Sequence, residues 1–127
     1  MAKGKKRKKL SEREALQIAL DDHPEYKEAV LKDTLPKEII GPTGEPMSPR
    51  MHLQIHAIVE RQLAADEPHG IVNVAREMMD LGVSPHDVRH AIGEAISRQM
   101  WHAMKYNQPF DQSEYFADLR EITDRYR

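Results

Sequence analysis

Two nine-residue stretches carry the same chemistry. His52, His56 and Glu60 are spaced four and four, and so are His86, His90 and Glu94. On an α-helix, residues four apart share one face about 6 Å apart, so two imidazoles can reach one ion and a carboxylate continues the stripe one turn on. Imidazole and carboxylate are natural ligands of zinc, iron and manganese. A shuffled chain of this composition would hold roughly 0.03 such matches by multiplication of frequencies, so two are a strong pattern. His23 is a further candidate ligand, because it stands at a helix start where its ring can turn inward.

The alternative to ligation is a buried polar network in which Glu60 accepts hydrogen bonds from the histidines. Around its helix, the first stripe falls near the middle of an apolar arc that includes Ile55, Val59 and Leu63. A lone carboxylate there is costly, and a metal ion, an arginine or a protonated histidine would answer it. The second stripe lies at the edge of its arc, where it could face a cleft. Antiparallel packing of the two helices would gather four imidazoles and two carboxylates, enough for two ions or for one ion with a hydrogen-bonded outer shell. The spacing differs from the Glu-x-x-His of di-iron bundles. His69 reads as a solvated turn residue, and His102 falls off the stripe.

The rest of the chain must position these stripes. With 127 residues, 39% hydrophobic and 31% charged, it suits one soluble domain with one core. It has no cysteine, which excludes disulfides and thiolate metal sites. No apolar run reaches bilayer length, and no apolar segment follows the basic N-terminus as a secretory signal requires, so a cytoplasmic protein is expected. Residues 3–9 hold six positive charges and read as part of a disordered basic arm over residues 1–10. The remaining 13 basic and 21 acidic residues leave the body at −8, so nucleic-acid binding is not expected beyond weak contact through the arm. Partners are otherwise open, homo-oligomers included.

Residues 11–127 are expected to form a single all-α domain, a small bundle of five or six helices. Ser11 and Glu14 make a capping box for a helix over residues 12–22, with Leu16, Ile18, Ala19 and Leu20 as its apolar side. Pro24 opens a short helix to Lys32. A long connection follows, with a helical turn expected over residues 36–40. Ser48-Pro49 and Ser84-Pro85 start helices that run to about Asp66 and Tyr106. Between them a helix over residues 68–81 ends at Gly82. Asp111 or Ser113 caps the last helix. Trp101, Tyr115, Met78, Met79 and Met100 are expected in the core.

These residues resemble the small bacterial proteins of the domain of unknown function 1841 family. The matching features are His23-Pro24-Glu25-Tyr26, Met51-His52-Leu53 with His56, then Glu60, Gln62-Leu63 and Glu67-Pro68 with Gly70. They continue with His86, His90, Glu94 and Trp101, then Pro109, Asp111 and Tyr115 leading to Leu119. The resemblance covers about residues 20–120. Arg98 stands where the family pattern leads one to expect an acid, and the basic arm reads as peculiar to this chain. The resemblance implies a fold and a set of polar positions, and no reaction. Two functions follow: a metal-binding protein, which could be a hydrolase or oxidase with Glu60 or Glu94 as base, or a non-enzymatic interaction or regulatory protein whose polar cluster fixes helix register.

Overall fold

The computed structural model describes residues 9–32, 39–40 and 46–127. Among them lie six helices: α1 (Glu12–Asp22), α2 (Pro24–Lys32), α3 (Pro49–Ala65), α4 (Ile71–Asp80), α5 (Pro85–Tyr106) and α6 (Gln112–Asp124). The fold is all-α. Its extended residues, Ile39–Ile40 and Pro46–Met47, pair antiparallel. Ile39 and Ile40 are therefore not in the expected helical turn, in keeping with the preference of β-branched side chains for extended backbone; the rest of that turn, and residues 1–8 of the arm, lie outside the described residues. Lys9 sits 3.6 Å from Glu67.

The helix starts follow from local chemistry. Ser11, Ser48, Ser84 and Asp111 each accept a hydrogen bond from a backbone N–H of the first turn they cap. α4 has no such cap and begins at Ile71 rather than Pro68. The Asp66 carboxylate accepts from the N–H groups of Gly70 and Val72, both at 3.1 Å, and those bonds hold its pKa below the usual carboxylate value. Residues 68–70 are thereby spent on a turn, with Gly70 at φ 103°. At the other end, Val83 and Gly82 donate back to the carbonyls of Met78 and Met79, with Gly82 at φ 93°. That is a glycine-terminated helix end of the expected kind.

α3 is the central helix and packs against both α1 and α5; α6 packs on α5 and α4. The core joins Ile55 and Val59 of α3 with Ile71 and Met78 of α4, Val88, Ile92 and Ile96 of α5, and Tyr115, Leu119 and Ile122 of α6. Burying each large side chain contributes roughly 1.5–3 kcal/mol. α3 and α5 run antiparallel where they cross, as the contacts Ile55–Gly93 and Glu60–Arg89 show. They are close at Gly93, where an added Cβ would lie 3.4 Å from Ile55 Cγ2.

Two core expectations are corrected. α1 buries Ala15 and Ala19 against α3, while Leu16 and Ile18 face outward; two small residues one turn apart let the backbones approach closely. Trp101 is exposed and Met79 points to solvent, whereas Tyr115 and Met78 are fully buried. Trp101 lies beyond the covered part of α5, with the Lys105 ammonium over its ring. No helix among the described residues is long and apolar enough to cross a membrane.

Candidate metal centre

The positions Ala15, Ala19 and His23 are spaced four and four. The stripe that seats α1 on α3 thus ends in a histidine, and the helix delivers that ring to the α3 surface. His23 occupies the cap between α1 and α2, where its Nδ1 lies 3.0 Å from the Ala19 carbonyl. A carbonyl only accepts, so Nδ1 carries the proton and Nε2 presents its lone pair. This is the arrangement in which a ligating imidazole is oriented from behind.

α3 supplies His52 and His56 one turn apart, with ring centroids separated by 4.6 Å. α5 supplies His90, whose centroid lies 4.7 Å from that of His56 and 5.8 Å from that of His52. The His23 ring is 4.3 Å from His56, 5.1 Å from His52 and 5.7 Å from His90. Each of the four residues offers one nitrogen, and these atoms all lie within 4.8 Å of one another. The Nε2 atoms of His23 and His52 are 3.4 Å apart. Two nitrogens bound tetrahedrally to one zinc ion at about 2.0–2.1 Å would stand roughly 3.3–3.4 Å apart.

His23, His52 and His56 are buried and His90 is half-buried. Burial, and then the neighbouring histidines, push His56 down to about 2. Burial, followed by His86 and His23, lowers His90 as well. Both rings are therefore neutral at pH 7, the state a ligand needs. Among the described residues, His56 Nδ1 and His90 Nε2 are buried with no hydrogen-bond partner. Buried polar atoms are rarely left so. The residues present are compatible with a metal ion.

The remaining sequence candidates lie outside this group of four. His86 sits at its rim, with its ring centroid 4.5 Å from that of His90 and Nδ1 3.1 Å from the Asp22 carboxylate. Glu60 is buried on α3, but its carboxylate accepts from Nε and Nη2 of Arg89. Glu94 turns towards α6. It accepts from Arg98 at 2.8 Å and from both terminal nitrogens of Arg125 at 3.0 and 3.1 Å. Arg98 also faces Asp118 and Glu121, so this basic position is embedded among acids. The ion pairs leave neither carboxylate available as a free base. His69 is exposed beside Asp66, and His102 lies near Glu114.

Sequence reasoning passed over Arg89, Arg125 and Asp22, which sit 29, 31 and 64 residues from their partners. No local pattern marks such pairs. Tyr26 was visible only as a neighbour of His23, and it stacks on that ring at 5.8 Å.

No curated protein and no solved structure matches this chain. The model of one family, described as Domain of unknown function (DUF1841), matches residues 1–121. The matched range takes in residues 1–10 as well. The histidines, the helices that carry them and the arm all fall inside it, and the chain belongs to the domain of unknown function 1841 family.

Proposed function

We propose that this protein binds one divalent transition-metal ion through His23, His52, His56 and His90, and that the ion is zinc. The observation that carries the reading is the convergence of four imidazole nitrogens within 4.8 Å in a largely buried site. The two partnerless nitrogens and the low pKa of His56 support it. An all-imidazole set suits zinc or iron and is poor for manganese, which prefers oxygen ligands. With the carboxylates held by arginines, the oxygen donors that would favour manganese are absent from the group of four.

Elemental analysis of protein made without an affinity metal column tests the proposal. One zinc per chain is expected, falling below about 0.1 in His56→Ala. Chelation should lower the melting temperature by about 10–20 °C, because a ligand at a thousand times its Kd stabilises a fold by about 4 kcal/mol. A metal-free protein whose melting ignores both zinc and chelator would sink the reading and leave a histidine network that serves helix register.

A further inference from the structure

We infer that His86 and Asp22 form the loading port of this site, taking a divalent cation from solvent and passing it to His90. The inference rests on the metal-binding reading above. Three of the four inner rings, those of His23, His52 and His56, are at most 7% exposed, so a hydrated ion has no direct path to them. The His86 side chain is 49% exposed, yet its ring centroid lies 4.5 Å from that of His90 and 5.9 Å from that of His23. It is the more exposed neighbour of the half-buried His90.

Asp22 does for His86 what the Ala19 carbonyl does for His23. Its carboxylate accepts from Nδ1 at 3.1 Å, and in the neutral ring a proton held there leaves the Nε2 lone pair for a cation. Both residues line a cleft of about 390 Å³ with Ile18, Asp21, Glu60 and Arg89. Within it, Asp21 is paired with Lys27 at 2.8 Å and Glu60 with Arg89. Asp22 is the carboxylate whose partner is an imidazole rather than a fixed cation. A metal ion arriving there meets a carboxylate and an imidazole side by side, and can exchange its waters one at a time instead of shedding them all before burial.

A port changes rates and leaves equilibrium alone. Zinc loading of the apo full-length chain is followed by stopped flow against a chromophoric competitor, and removal by excess EDTA, in wild type, His86→Gln and Asp22→Asn. Both rate constants should fall at least tenfold in His86→Gln, and by less in Asp22→Asn. Zinc should stay at one per chain with an unchanged Kd. Unchanged rates in both variants would overturn the inference. So would a faster release with a weakened Kd, which would make His86 a permanent ligand. Wild-type protein that takes up no zinc would instead remove the metal-binding reading, and the port with it. Because His86 and Asp22 lie at the surface, circular dichroism should show all three proteins folded.

Discussion

Glu60 and His56 sit one turn apart on the same buried face and have opposite fates. Glu60 is met by the Arg89 guanidinium, which reaches it from α5; His56 gives up the charged state because it is buried and its neighbours are other imidazoles. A direct comparison follows. Glu60→Gln removes one side of the ion pair and should cost about 1–3 kcal/mol, less than a fully buried pair because Arg89 is partly exposed. Zinc content should stay at one per chain. Urea unfolding and elemental analysis of the same preparation read both, and loss of zinc in this variant would place the carboxylate among the ligands. His56→Ala should do the reverse, abolishing zinc binding at little cost to the apo fold.

At the scale of elements, the centre depends on how closely α3 and α5 approach. Gly93 lies at that contact one turn from His90, opposite Ile55, the neighbour of His56. A methyl group at position 93 would meet Ile55 at an ordinary contact distance. Replacing glycine within a helix gains about 0.5–1 kcal/mol. Gly93→Ala should therefore raise the melting temperature by a few degrees and keep zinc. Gly93→Leu should cost about 1–3 kcal/mol through overpacking. It should also lose zinc, because the helices that carry His56 and His90 are forced apart. A leucine variant with full zinc content would show that the centre tolerates a wider spacing. The caps were legible beforehand, since Ser48-Pro49 and Ser84-Pro85 act within one turn of themselves. The start of α4 was not, because the carboxylate that reorganises it belongs to the end of α3.

For the whole molecule, the buried imidazoles make stability depend on pH. The native His56 ring titrates near 2 and the unfolded one near 6.5. Below pH 6.5 the unfolded chain therefore holds a proton that the native state refuses. Stability is complete above that pH and falls as pH drops towards 2, by about 1.4 kcal/mol per unit for this ring. His90 adds loss in the same direction. Urea unfolding of apo protein should lose at least about 2 kcal/mol between pH 7.5 and 5. A flat profile would show that the cluster admits protons, and hence water, in the native state.

The amino-acid sequence alone determined the presence of the six helices, the serine caps of α1, α3 and α5 and the two histidine stripes, because each depends on residues within a turn or two. It also placed Glu60 in the interior and required a cation beside it. Which cation answered was decided only by the fold: Arg89 lies 29 residues away and nothing near Glu60 encodes it. The fold likewise took Glu94 to Arg98 and Arg125, brought His23 to His52 and His56, and left Trp101 outside. Spacing along one helix settles which side chains share a face. Which of them meet across helices is settled by close packing, here the alanines that α1 buries against α3 and the contact of Gly93 with Ile55 between α5 and α3.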